Sequence, residues 1–213
     1  MANTIKTSKT AKAMDAVKAL ALPVLAMTLI VVASNILVQI PFTAFGMQDY
    51  LTWGAFTYPV TFLVTDLTNR RYGAGMARRL VVVGFLIAVV LSIGLATPRI
   101  ALASGTAFLI GQLLDVTVFN RLRRMAWWQA PLAGSLVGSA LDTALFFSIA
   151  FAGIPEMSMP VSFAGLVVPL WGSLALADFC VKVLLALLAL VPYGALMSVV
   201  LPIEALRRQP ATR

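Results

Sequence analysis

The chain has 213 residues, of which 61% are hydrophobic and 11% charged; its formal charge is +8 and its mean hydropathy is +0.95. A soluble domain of this size needs a mixed surface, so the composition indicates an integral membrane protein. The chain has one cysteine and no histidine, which excludes an internal disulfide and removes the commonest metal ligand and the commonest general base near neutral pH.

Continuous apolar runs, each about 20 residues long, predict membrane-spanning α-helices rather than the alternating strands of a β-barrel. A lysine-containing segment, residues 1–18, is predicted to be a loose cytoplasmic tail, and residues 203–213 a second one. Between them, residues 19–202 are predicted to form one all-α domain of six transmembrane helices. These helices cover about 19–40, 51–69, 79–97, 100–120, 128–152 and 170–200.

The basic residues predict how the helices are oriented. They cluster at 70–79, 121–124 and 207–208, whereas the connections 41–50 and 153–165 contain no lysine or arginine. Cytoplasmic loops carry the excess of positive charge. We therefore expect a multi-pass protein of the cytoplasmic (inner) membrane with both termini in the cytoplasm. Only Arg99 falls on the outer side.

Five ionisable residues lie inside the predicted spans, namely Asp66, Asp115, Asp142, Asp178 and Lys182. A charged group in hydrocarbon is unfavourable by several kcal/mol, so such groups are expected to face the bundle interior, a partner or water. Five of them in six helices favour a functional path over a purely structural role.

Helical spacing groups some of these residues. Asp178 and Lys182 are four residues apart and can pair, either as a structural ion pair or as part of a ligand site. Asp142 follows Ser135 and Ser139 on one face, which predicts a polar stripe towards a cavity.

Small residues on the same helix predict a close contact with a neighbour. Gly134 and Gly138 are four residues apart, a spacing that lets two helix backbones approach each other. We expect this contact to form within the chain rather than between two copies.

Other polar pairs are open to two interpretations. Gln112 with Asp115, and Asn35 with Gln39, could hold helices together or contact a ligand. Trp53 and Phe56 could belong to an interfacial aromatic belt or could stack on a ligand.

Asp66 lies one helical turn before Arg70, with which it could form a salt bridge at the cytoplasmic end of the second predicted helix. The fourth predicted helix ends in a similar Asp115–Arg121 stretch. We interpret this region as a gate on the translocation path. Its predicted members are Asp66, Asn69, Arg70 and Asn120.

Several motifs are absent from the sequence. There is no G-x-x-x-x-G-K-[ST], no H-E-x-x-H and no G-x-S-x-G. A P-loop ATPase, a zinc protease and a serine esterase are therefore not expected, and neither a catalytic residue nor a metal site is predicted.

Eight segments occur in a fixed order between about residues 30 and 200. They are SNILVQ (34–39), TWGAF (52–56), TDLT (65–68), ARR (77–79), GQLLDVxVFNRLR (111–123), WWxAP (127–131), DT (142–143) and DFCVKV (178–183). Together they resemble the bacterial queuosine-precursor transporters, a family earlier grouped with vitamin-uptake membrane proteins. The long stretch at 111–123 is the most specific part of the resemblance.

The resemblance implies import of 7-cyano-7-deazaguanine or its 7-aminomethyl relative for tRNA modification. It also implies six helices similar to the substrate-binding components of energy-coupling-factor transporters. The polar positions then become the substrate site. Carboxylates would accept the N–H groups of the base, amides or the lysine would donate to its carbonyl, and an aromatic ring would stack on it. The implied site residues are Asn35, Gln39, Trp53, Phe56, Gln112, Asp115, Asp142, Asp178 and Lys182.

Three functions compete at this point: a stand-alone transporter, a binding component that needs a separate ATPase, and a non-transporting scaffold. Binding components of that type dock through alanines four residues apart on the first helix, and this chain has no such pair there. The intramembrane charges argue against a scaffold. We therefore expect a transporter without cofactor that does not itself contact nucleic acid. Related purines or queuine, the energy source and a homo-oligomer are left open.

Overall fold

The computed structural model describes residues 2–48, 50–163 and 165–197. Its described part is built almost entirely of helices. Two single turns of 3-10 helix lie at Ala44–Gly46 and Glu156–Ser158, and one antiparallel hairpin precedes the last helix. The elements are α1 (Ala2–Leu37), α2 (Gly54–Thr57), α3 (Val60–Tyr72), α4 (Ala74–Leu95), α5 (Pro98–Leu122), α6 (Gln129–Phe151), β1 (Pro160–Phe163), β2 (Leu166–Pro169) and α7 (Leu170–Leu196).

Five helices of the described part are long and apolar enough to cross a bilayer. They are the segments Leu20–Leu37 of α1, Ala74–Ser92 of α4, Pro98–Leu122 of α5, Gln129–Phe151 of α6 and Leu170–Leu196 of α7. The expectation of an all-α, multi-pass membrane protein is confirmed. The orientation of the termini stays a prediction.

The second predicted helix, 51–69, is broken in the structure. Gly54–Thr57 and Val60–Tyr72 are separate helices because Pro59 has no N–H to donate, and the chain tightens there into bonds between residues three apart. Thr61 N donates to Tyr58 O at 3.0 Å, and Phe62 N donates to Pro59 O at 3.1 Å. With 13 residues, α3 is about 20 Å long, shorter than a hydrocarbon core of about 30 Å.

Other boundaries also differ from the predicted ones. Helix α1 runs back to Ala2, through the segment expected to be a loose tail, and α4 begins at Ala74 rather than at 79. The turn between α4 and α5 is as short as expected, with Thr97 as N-cap. The predicted C-terminal tail, 203–213, and the end of the last predicted helix lie outside the described residues.

Helices α5 and α6 pack closely because glycines remove the side chains between them. A Cβ atom on Gly138 would lie 2.9 Å from the carbonyl oxygen of Gly111 and 2.8 Å from the ring of Phe62. A Cβ atom on Gly134 would lie 2.5 Å from Oδ1 of Asp115. The predicted close contact at Gly134 and Gly138 is therefore confirmed, and it is intramolecular.

The two ends of the bundle differ in charge. The arginine-rich end is where α3 and α5 end; Arg70 and Arg71 lie in the last turn of α3, Arg121 lies in the last turn of α5, and Arg123 and Arg124 follow in the α5–α6 connection. An apolar cluster of Phe119, Ala130 and Tyr193 closes the bundle near this end. At the opposite, arginine-poor end, Arg99 donates to the carbonyl oxygens of Ile149 and Ala152 at 2.8 and 2.6 Å and so caps the end of α6.

Candidate functional site

A cavity of about 590 Å³ opens towards the arginine-poor end, between α1, α2, α4, α5, α6 and α7. This volume lies in the range of small-molecule sites. Asn35 of α1 and Gln39, just beyond the end of α1, line it near its mouth, and Asp142, Asp178 and Lys182 line its inner part. The structure thus brings five of the predicted site residues to one cavity.

An ion cluster of Asp142, Asp178, Lys182 and Thr143 forms the inner part of this cavity. Lys182 Nζ lies 2.7 Å from Asp142 Oδ2 and 2.6 Å from Asp178 Oδ2. Nζ also donates to Thr143 Oγ1 at 2.9 Å, and that hydroxyl donates to Asp178 Oδ2 at 2.7 Å. The three donors of the ammonium group therefore have three acceptors. The predicted pairing of Asp178 with Lys182 is confirmed.

The ion cluster keeps acceptor capacity for a ligand. Asp178 Oδ1 receives no hydrogen bond from a described residue. Asp142 Oδ1 receives only a long one, 3.4 Å, from the hydroxyl of Tyr58. A ligand with N–H donors would fit this arrangement, because carboxylates are strong acceptors.

The aromatic wall of the cavity differs from the predicted one. Trp53 and Phe56 do not line it; they pack on Phe42, with ring centroids 4.9 and 4.7 Å away. The aromatic side chains that line it include Tyr58, Phe108, Phe146, Phe147 and Phe151. Sequence reasoning missed these rings, and it also missed Thr143 as a member of the ion cluster.

Gln112 and Asp115 lie away from the cavity, between helices. Gln112 is fully buried and bridges α5 to α3. Its Nε2 donates to Thr61 Oγ1 at 2.7 Å, and its Oε1 accepts from Thr65 Oγ1 at 2.7 Å. Of the two interpretations of this side chain, the geometry favours the structural one. Asp115 is also fully buried, against Gly134 of α6.

Three of the four predicted gate residues lie together near the arginine-rich end. Asp66 is 2% exposed and accepts a 3.5 Å bond from Ser135 of α6. Asn69 Nδ2 donates to the carbonyl oxygen of Val116 at 3.1 Å. Arg70 Nη1 donates to the hydroxyl of Tyr193 at 3.3 Å.

The structure does not form the expected Asp66–Arg70 salt bridge, and it places the fourth predicted gate residue, Asn120, apart from the other three. Among the described residues, Arg70 pairs with Tyr193, and no ion pair joins it to Asp66. Asn120 is exposed, and its Oδ1 accepts from Arg123 at 3.4 Å. The structure therefore does not bring Asn120 to the other three.

A narrow cleft continues from the ion cluster towards Asp66. Its volume is about 20 Å³, room for about one water molecule. Ser135 and Ser139 line it on α6, and Lys182 lines both the cleft and the large cavity. The predicted polar stripe on α6 thus runs from the cleft, at the two serines, to the cavity, at Asp142.

Comparisons with known proteins give consistent results. A family model described as "Putative vitamin uptake transporter" matches residues 52–97 and 92–197. The "Queuosine precursor transporter" of Escherichia coli (strain K12) is 40% identical, over 81% of this chain and 84% of the relative. The "Probable queuosine precursor transporter" of Haemophilus influenzae (strain ATCC 51907 / DSM 11121 / KW20 / Rd) is 37% identical, over 81% and 83%. The protein of the same description from Bacillus subtilis (strain 168) is 26% identical, over 80% and 81%. No solved structure matches.

Proposed function

Because the chain belongs to the family of vitamin uptake transporters, we propose that it is a membrane transporter that imports queuosine precursors. The observation that carries this proposal is the similarity to the Escherichia coli transporter, 40% identical over most of both chains. The precursors we propose are 7-cyano-7-deazaguanine and its 7-aminomethyl relative, taken across the inner membrane for tRNA modification.

We propose that the base binds in the large cavity against the ion cluster. Deazaguanine is planar and has adjacent N–H donors, at N1 and at its exocyclic amine, which suit the free Oδ1 of Asp178 or that of Asp142. The aromatic wall, which includes Tyr58 and Phe146, supplies rings for its faces. Asn35 and Gln39 lie at the mouth of the cavity and can contact the carbonyl or the group at position 7.

The orientation follows from charge. If the arginine-rich end faces the cytoplasm, the cavity opens to the outside, and the cleft beyond the ion cluster is too narrow for a bicyclic base. The molecule is then in an outward-open state with its inner side closed. Both termini would be cytoplasmic. The expected likeness to energy-coupling-factor binding components stays a prediction.

The experiment is precursor-dependent tRNA modification in a cell that cannot make the precursor. Cells with this chain are expected to form queuosine when supplied with nanomolar to micromolar 7-cyano-7-deazaguanine, and cells without it are not. Equal modification in both strains would refute the function. A stand-alone transporter is further expected to exchange labelled precursor when purified and placed alone in liposomes; restoration only by an ATPase partner would favour a binding component instead.

A further inference from the structure

Asp66 and Asp115, here called the acid pair, form a second group of buried charges apart from the cavity. They lie on α3 and α5, are 2% and 0% exposed, and both face the same point of α6. Oδ1 of Asp115 lies 2.5 Å from the position of a Cβ atom on Gly134, and Oδ2 of Asp66 lies 3.5 Å from the hydroxyl of the next residue, Ser135. No described residue donates a hydrogen bond to either oxygen of Asp115 or to Oδ1 of Asp66. The remaining oxygen, Asp66 Oδ2, has only the 3.5 Å bond from Ser135.

No described cation pairs with the acid pair. Arg70, on the same helix as Asp66, is directed to Tyr193 of α7. Lys182 of α7 lines the cleft with Asp66, but its ammonium is bound by Asp142 and Asp178. Among the described residues, the other packed elements supply no further partner. On α6 the nearest residues are Gly134 and Ser135. Arg123 donates to Asn120, the arginines at 78, 79 and 121 are exposed, and α1 has no titratable side chain between residues 20 and 37.

Two neighbouring buried carboxylates cannot both stay ionised without a cation, because their repulsion adds to the unfavourable burial of each charge. One shared proton removes a charge and supplies the missing O–H donor. A metal ion would need several ligands around it, and the described residues contain no group of three or more carboxylate, cysteine or histidine side chains that could hold one.

We propose that the acid pair binds one proton and exchanges it during the transport cycle, which makes the protein a proton-coupled importer. The step is a proton transfer between water and a carboxylate oxygen, with no bond made to the substrate. The cleft, with its two serines and room for about one water, joins Asp66 of the pair to Lys182 of the ion cluster and so to the cavity. This inference rests on the transport function proposed above.

The test uses the purified full chain in liposomes and labelled 7-cyano-7-deazaguanine. Two readouts are compared. Counterflow needs only binding of the precursor and its exchange across the membrane. Net accumulation is driven by an acidic exterior, while potassium and valinomycin clamp the membrane voltage. One proton per substrate and one pH unit give up to about tenfold accumulation, since a tenfold gradient of proton drives a tenfold gradient of solute. A trapped pH dye is expected to report proton entry in step with substrate.

Asp66→Asn and Asp115→Asn are expected to abolish accumulation and proton entry while counterflow stays within about threefold of wild type. Glu156→Gln, which changes an exposed carboxyl to an amide outside the bundle, is the matched control and is expected to keep both. Counterflow by a variant also shows that it is folded. Should neither asparagine variant fold, proton entry with wild type decides alone.

Two results with the wild type would overturn the proposal: accumulation that does not depend on the pH gradient, and accumulation that follows a sodium gradient at constant pH. Two results with the asparagine variants would also overturn it. They could accumulate precursor normally, or they could be folded and lose counterflow, which would place the pair in substrate binding. Absence of wild-type counterflow would instead refute the stand-alone transporter on which the proposal rests, so the two failures are distinguishable.

Discussion

Replacing Asp178 with Asn tests whether the ion cluster binds the substrate. Asp178 Oδ2 accepts from Lys182 and Thr143, while Oδ1 has no described donor and lies on the cavity. An N–H group of the base bonded to this carboxylate would make a charge-assisted hydrogen bond, which contributes about 1.5–3 kcal/mol. Its loss corresponds to a Kd higher by roughly 10- to 150-fold.

The assay is equilibrium binding of labelled 7-cyano-7-deazaguanine to the purified protein, with Glu156→Gln as the carboxyl-to-amide control. Lys182 keeps its 2.7 Å contact with Asp142 in the variant. The destabilisation is therefore expected to be smaller than the about 3–5 kcal/mol of a buried charge left without any partner, and the thermal midpoint shows whether the fold survives. A Kd within twofold of wild type in a folded variant would remove Asp178 from the binding site.

Three further predictions concern packing and the cavity wall. Gly134→Ala is expected to destabilise the protein by about 1–3 kcal/mol through overpacking, because the new Cβ atom would lie 2.5 Å from a carboxylate oxygen of Asp115. The control Gly75→Ala, whose Cβ atom would have no neighbour within 4 Å, is expected to be neutral; thermal unfolding in detergent compares the two variants. Phe146→Ala, in the cavity wall, is expected to weaken precursor binding by about 1–3 kcal/mol, as is typical of base stacking. Trp53→Ala, outside the cavity, is expected to leave the Kd unchanged. A higher Kd for Trp53→Ala with an unchanged Kd for Phe146→Ala would show that Trp53, as predicted from the sequence, stacks on the base. Gln112→Leu is expected to lower the stability by only about 1 kcal/mol, because the two threonine hydroxyls that Gln112 bridges still donate to the backbone carbonyl groups of Tyr58 and Thr61. The Kd is expected to stay unchanged; a large loss of binding would place Gln112 in the substrate site.

Local periodicity predicted some features well. The pairing of Asp178 with Lys182 needs only a helix, since residues four apart share a face, and the structure forms it at 2.6 Å. The close contact at Gly134 and Gly138 follows in the same way from small residues four apart. In both cases the information lies within one turn of one helix.

Features that depend on contacts between helices could not be predicted. Asp142 joins the ion cluster from α6, 40 residues before Lys182, and no spacing within a helix encodes that encounter. Thr143 follows Asp142 directly and so lies about 100° around the helix from it, yet both reach Lys182. Because the predicted second helix is broken at Pro59, the short helix α2 does not continue the faces of α3, and Tyr58 rather than Trp53 lines the cavity.

Helix α3 is held differently by its neighbours, which bears on how the cleft could open. Gln112 bridges it to α5 with two 2.7 Å bonds, and Asn69 adds one at 3.1 Å. Towards α6 and α7, its described side-chain bonds around the cleft are longer: 3.5 Å from Ser135 and 3.3 Å from Arg70 to Tyr193.

Long bonds contribute less than short ones, so the side of α3 that lines the cleft is the weaker one. Asp66 lies on that side and lines the cleft, and its neighbour in the acid pair, Asp115, belongs to α5. A change in the charge of the acid pair therefore acts on the helix that must move for the cleft to widen, while the ion cluster that would hold the substrate lies at the other end of the same cleft. The two groups of charges are joined by one water-sized space, so they can influence each other and still be changed one at a time. A variant at Asp178 is therefore expected to lose substrate binding, and a variant at Asp66 is expected to lose proton coupling.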